Sequence, residues 1–191
     1  VNVILFAGTP GVATTPSATL NFSHLTDAAS ITAFANLLGL VTRPGNANGS
    51  STGIADAIDF AVGTFGASSF TSDRKVIDVS GDGEENVAGS PFDDGPTGGK
   101  AQVRAVRDAA IAAGFIINGL PIIDDFVNLD TYYADNVIGG PGSFLEVATF
   151  ASFEDAVISK ISQEITLVPE PPAIFLLGAG LFFMLRRHQK T

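Results

Sequence analysis

Short apolar runs alternate along this chain with segments whose apolar residues recur every three to four positions, and that alternation constrains the fold more than any other feature. Val1 to Phe6, Arg74 to Ser80 and Phe115 to Ile122 are the runs. Each is rich in β-branched or aromatic residues and ends at Gly or Pro, the pattern of a strand covered on both faces. Strands of that kind, separated by amphipathic helices, specify an α/β fold of Rossmann-like type: a mostly parallel sheet flanked by helices, with right-handed crossovers. Ligands in such sheets sit outside the carboxyl ends of the strands.

The pattern predicts further elements between the runs. Residues 9–18 are rich in Thr, Pro, Gly and Ser and read as a loop, and Ala18 to Phe22 as a second strand. Thr26 is placed to cap a helix reaching about Val41, with Ala28, Ile31, Phe34, Leu37 and Leu38 at helical spacing. A second helix is expected from Thr52 to Phe65 and a third from Lys100 to Ala113, stopped by Gly114. A strand is expected at 144–149 and a last helix from about Ser152 to Ile165.

Composition narrows the function. Of 20 acidic and 10 basic side chains, 19 and 7 precede residue 169, so that part of the chain carries a formal charge of about −12. Phosphate backbones require a basic face, so a nucleic-acid partner is not expected. The chain has no cysteine, which excludes disulfides, thiolate nucleophiles and Cys-ligated zinc. No P-loop and no dinucleotide fingerprint is present. His24 is the single histidine before the last residues and has no nucleophile-elbow motif to work with, so no enzyme is expected.

Two segments fall where strand ends should gather. One is the loop Ser50-Ser51-Thr52-Gly53 entering the second helix; the other is Asp78-Val79-Ser80-Gly81-Asp82-Gly83, a strand emptying into a glycine-flanked aspartate. Thr52 is read either as a helix N-cap or as a hydroxyl ligand, and Asp82 either as an Asx-type turn or as a carboxylate ligand. Glu84 and Glu85 read as a solvated pair that could tune a cation. Asp93, Asp94, Asp124 and Asp125 read as loop surface. Tyr132 and Tyr133 read as sheet packing, with stacking on a sugar as the alternative.

Together these segments resemble the von Willebrand factor A domain, whose metal-ion-dependent adhesion site joins three loops. Thr52 matches the second loop, and Asp82-Gly83 the third. The blocks Val76 to Asn86, Asn118 to Ile122 and Val137 to Pro141 are also similar to a bacterial von Willebrand A-like family of uncharacterised function, the likeness covering roughly residues 1–166. The resemblance implies a Mg2+ or Ca2+ ion held by Thr52 and Asp82 and an adhesion-type site for a protein or polysaccharide ligand. It also implies an Asp-x-Ser-x-Ser loop after a first strand, which it places ahead of Val1. An N-terminally shortened domain over 1–167 is therefore expected, with a gap beside the strand at 74–80. The alternative is a non-catalytic structural matrix protein that binds no metal.

The last residues form a separate segment, 168–191. Pro169-Glu170-Pro171 precedes a 13-residue apolar run, Ala173 to Leu185, and then Arg186-Arg187-His188-Gln189-Lys190. A straight bilayer crossing takes about 20 residues, so this is a short span, with bases on the cytoplasmic side. The segment resembles the PEP-CTERM sorting signal of Gram-negative bacteria. That implies export, a transient membrane anchor through 172–185, an exosortase-type sorting enzyme as partner, and a cell-surface or extracellular destination.

Overall fold

The structure is a computed structural model that describes residues 1–7, 10–14, 19–41, 51–87 and 99–166. The chain divides into two compact units, Val1–Phe153 and a second that begins at Glu154. In chain order the first unit holds strands β1 (Ile4–Leu5) and β2 (Gly11–Val12), helices α1 (Ala28–Leu38) and α2 (Ile54–Ala67), strand β3 (Lys75–Gly81), helix α3 (Lys100–Ala112), strand β4 (Phe115–Pro121) and helix α4 (Leu129–Asn136). A 3-10 turn at Phe150–Ser152 leads to helix α5 (Phe153–Thr166). Glu154 and Asp155 lie in the first turn of α5, where the unsatisfied amides of a helix favour carboxylates.

β3 and β4 are parallel, in register from Lys75 opposite Phe115 to Gly81 opposite Pro121, and α3 connects them. The fold is thus mixed α/β, a parallel two-strand sheet flanked by helices, compatible with the Rossmann-like class. Ile77 and Val79 of β3 and Phe115 and Ile117 of β4 are buried in one core cluster with Ile54 and Ile58 of α2, Val103 of α3, Leu129 and Tyr133 of α4, and Val137 just after it. Burial of each aliphatic side chain of this size contributes about 1.5–3 kcal/mol.

On the far edge of β4 the expected strand at 144–149 is an interrupted ladder. Glu146 N donates to Gly119 O at 3.0 Å and Ala148 N to Pro121 O at 3.0 Å, giving isolated parallel bridges. Gly140 and Gly142, both at positive φ, bend the chain just before it.

The amino-terminal region departs from expectation. β1 pairs antiparallel with β2, Ile4 opposite Val12, inside residues expected to be a loop. Among the described residues the second strand expected at 18–22 is reduced to an isolated bridge from Thr14 to Thr19, with Leu20 N donating to Ala13 O at 2.8 Å. Pairing with β2 lets β1 satisfy its backbone groups locally, while Ile4 and Phe6 still pack on the core. Among the described residues β3 has no strand on its edge opposite β4. α1 is capped by Asp27 rather than Thr26: Asp27 Oδ1 accepts from Ser30 N at 2.7 Å, and Ser30 Oγ accepts in return from Asp27 N at 3.1 Å.

Asp93, Asp94 and the sorting-signal residues Pro169, Glu170, Pro171, Arg186 and Arg187, with the apolar run before the arginines, lie outside the described residues. Among the described residues no helix is long and apolar enough to cross a membrane.

Candidate functional site at the strand ends

β3 runs out at Gly81, and the next residues, Asp82 to Val87, fold back over the start of α2. Two backbone-directed bonds lace this turn to the α2 entry loop. Thr52 N donates to Asn86 Oδ1, and Asn86 N donates to Thr52 O at 2.9 Å. The lacing sets the Thr52 side chain against Gly83, its Oγ1 only 2.7 Å from where a β-carbon on residue 83 would stand. Gly83 is buried, Thr52 half-buried and Asp82 exposed. Thr52 and the Asp82-Gly83 turn are therefore brought together, 30 residues apart in sequence, at the carboxyl end of the sheet.

Thr52 is not the helix cap. The N-cap of α2 is Gly53, which has no side chain to accept an amide hydrogen. Glu85 supplies that acceptor instead: its Oε2 takes Ala55 N at 2.8 Å, and its Oε1 takes Val87 N at 3.3 Å. Glu85 is 4% exposed, so the reading of Glu84 and Glu85 as a solvated pair is corrected for Glu85. Burial raises its pKa above the ordinary carboxylic value, against the lowering by those backbone amides. Its aliphatic stem fills the space above Gly99, the N-cap of α3 at φ +50, which any β-carbon would invade. One carboxylate thus sits at the start of two helices.

Two adjacent tyrosines of α4 approach the same turn. Tyr132 Oη accepts from Glu85 N at 3.2 Å. The ring of Tyr133 is fully buried and passes over Gly119 of β4, with Cδ1 2.9 Å from a β-carbon position there. Its hydroxyl reaches Gly81 of β3, 2.9 Å from the corresponding position. That hydroxyl has no hydrogen-bond partner among the described residues. Burial, then the neighbouring Tyr132, then the Asp82 charge hold the Tyr133 phenol well above its usual range. Sequence reasoning correctly put both tyrosines in the packing but missed their helix and their bearing on the Asp82 turn. Leu129, Tyr132, Tyr133, Asn136 and Val137 do recur at helical spacing; the polar Asn136 and the aspartates between disguise it.

The other candidates stand apart from the turn. Asp124 and Asp125 are exposed after β4, and Asp124 Oδ2 accepts from Phe150 N. His24 is exposed beside Phe70, ring centroids 5.8 Å apart. Among the described residues no group of three His, Asp or Glu comes together to hold a metal ion. What the turn offers is the Thr52 hydroxyl against Gly83, the exposed Asp82 next to it in the chain, and the buried Tyr133 hydroxyl at Gly81. Oxygen ligands of this type fit a hard divalent cation, although such an ion takes about six of them.

No curated protein and no solved structure matches the chain. Residues 11–169 match the family described as "Protein of unknown function (DUF1194)".

Proposed function

Since the chain belongs to the DUF1194 family of proteins of unknown function, and the family carries no assigned activity, we propose from the site itself that this is an adhesion-type binding domain of an exported surface or matrix protein. The ligand site lies at the carboxyl ends of β3 and β4. A divalent cation, Mg2+ or Ca2+, is held there by Thr52 Oγ1 and the Asp82 carboxylate, with water among the remaining oxygens. A carboxylate from the protein or polysaccharide ligand completes the shell. The observation that carries this reading is the seating of the Thr52 hydroxyl against Gly83, next to Asp82, with its capping role taken over by Glu85. A hydroxyl brought to a Gly-Asp-Gly turn and relieved of capping can serve as one of the about six oxygens that a hard cation takes. No nucleophile and base are paired at this turn, so the proposed role is binding and not catalysis. The carboxyl-terminal segment 168–191, read as a PEP-CTERM signal, supplies the address: export, a transient anchor, an exosortase-type enzyme as partner, and the cell surface.

Thermal melting of the full-length protein in magnesium or calcium tests the site. Bound cation raises the melting temperature by linkage, and Asp82→Ala removes the rise. A melting temperature indifferent to both ions contradicts it. A second reading is a matrix component that holds no metal. Partner binding unaffected by chelator and by Asp82→Ala would select that reading.

A further inference from the structure

The turn that leaves β4 sets apolar side chains in water and ties them to another of the same kind. Phe126 is 50% exposed and Val127 84%, whereas Leu129, where α4 begins, is fully buried. Phe150, at the start of the 3-10 turn, is 59% exposed. The two stretches are held side by side. Ile123 N donates to Ala148 O at 2.9 Å, and Asp124 Oδ2 accepts from Phe150 N. Leu129 N donates to Phe126 O at 3.1 Å and closes the turn. Two residues of chain span at most about 7 Å, so the Cα of Phe126 stands no further than that from the Cα of Asp124. A lone exposed apolar residue needs no explanation, but apolar groups gathered on hydrogen-bonded loops mark an interaction surface.

The surrounding charge says what covers it. From Asp108 to Phe153 the chain has six acidic side chains and no basic one. Asp124 and Asp125, both exposed, immediately precede Phe126. The bases of α3 that meet α4 each have a partner there. Lys100 Nζ lies 5.6 Å from the centre of the Tyr132 ring, Arg104 Nη1 donates to Asn136 Oδ1 at 2.6 Å, and Arg107 Nη1 donates to Asp135 O at 2.9 Å. A second copy of this chain would bring acid against acid, and an anionic membrane surface would be repelled in the same way. We propose that Phe126, Val127 and Phe150, rimmed by Asp124 and Asp125, form a docking surface for a short segment of a partner protein whose apolar side chains are flanked by Lys or Arg. The apolar groups of that segment cover the three exposed side chains, and its bases meet the Asp125 carboxylate and the remaining oxygen of Asp124. Three anchors suit a short segment, since a standard interface takes about 20–30 residues a side. The surface needs no cation and stands independently of the site at Asp82.

The chain has no tryptophan, so a peptide carrying a single one reports its own binding by fluorescence. Three synthetic probes are titrated with full-length protein: one built of leucine and lysine, one of leucine and glutamate, and one of serine and lysine. The leucine–lysine peptide is expected to bind with a blue shift, in chelator as well as in magnesium, and to outbind each of the others at least roughly tenfold. The double variant Phe126→Ser, Phe150→Ser changes only exposed side chains, so it is expected to fold as the wild type does and to weaken that peptide roughly tenfold or more. Asp125→Asn is expected to weaken it severalfold and to flatten its dependence on salt. Equal binding of the serine–lysine peptide would reduce the interaction to bulk charge and overturn the proposal. Affinity undiminished in the double variant, or a wild type that binds none of the probes, overturns it too. Self-association of the wild type that the double variant abolishes would make a second copy the occupant. Adsorption to phosphatidylcholine vesicles that it abolishes would make a membrane the occupant. Either result contradicts the proposal.

Discussion

The Thr52 hydroxyl occupies the space that a β-carbon on Gly83 would need, 2.7 Å from it. That close approach ties the entry of α2 to the turn after β3 and places a hydroxyl beside Asp82. Gly83→Ala therefore forces Thr52 aside, and we expect a destabilisation of about 1–3 kcal/mol. Thr52→Ala removes the obstructing oxygen, so the double variant should recover most of that loss. Chemical denaturation of the four proteins of the cycle measures the coupling. Strictly additive losses would mean that the two side chains do not meet.

Glu85 makes stability depend on pH in an unusual direction. Its pKa is raised in the folded state, chiefly by burial. The stabilisation associated with it is therefore complete below its ordinary value of 4.5 and is lost as pH rises through the higher folded value. Glu85→Gln keeps an acceptor for Ala55 N but carries no charge. The melting temperature of Glu85→Gln, relative to wild type, should climb as pH rises above 4.5. A difference that stays flat over that range would show that the carboxylate is not held in a desolvated place.

Gly81 and Tyr133 form a second tight pair. A methyl group at residue 81 would stand 2.9 Å from the Tyr133 hydroxyl. Gly81→Ala should cost about 1–3 kcal/mol in the wild type and clearly less in a Tyr133→Phe background, where the oxygen is gone. Equal costs in both backgrounds would place the hydroxyl elsewhere.

A change far from the site serves as a contrast. Asp27→Ala removes the capping box of α1, and a lower melting temperature is expected from the missing side-chain acceptor. The cation response should be untouched. A changed magnesium midpoint in this variant would mean that the response reports on global stability instead of on the Asp82 turn.

How far the sequence revealed this molecule depended on how local the controlling interactions are. β3, β4, α2 and α3 were legible because their burial patterns repeat within each segment, as in Ile54, Ile58 and Ala61 or Ile77 and Val79. The pairing of Gly11 with Leu5 was not, since glycine and proline mark a tight antiparallel return as readily as an open loop. The meeting of Thr52 with the Asp82-Gly83 turn followed from the rule that ligands gather at the strand ends. The role of Glu85 did not, because a carboxylate 30 residues away from the amide it satisfies leaves no trace in local spacing. Tyr133 was assigned to the core from its chemistry, but its reach to Gly81 depends on two glycines in neighbouring strands whose register the sequence does not state.

Calorimetric titration of the full-length protein with magnesium, carried out on wild type, Thr52→Val, Asp82→Ala and the double variant, tests most directly whether Thr52 and Asp82 serve one cation. The account predicts binding in the wild type, weakened sharply by either single change, with the double variant no worse than Asp82→Ala alone. Saturable wild-type binding that survives both substitutions would put the ion elsewhere and contradict it.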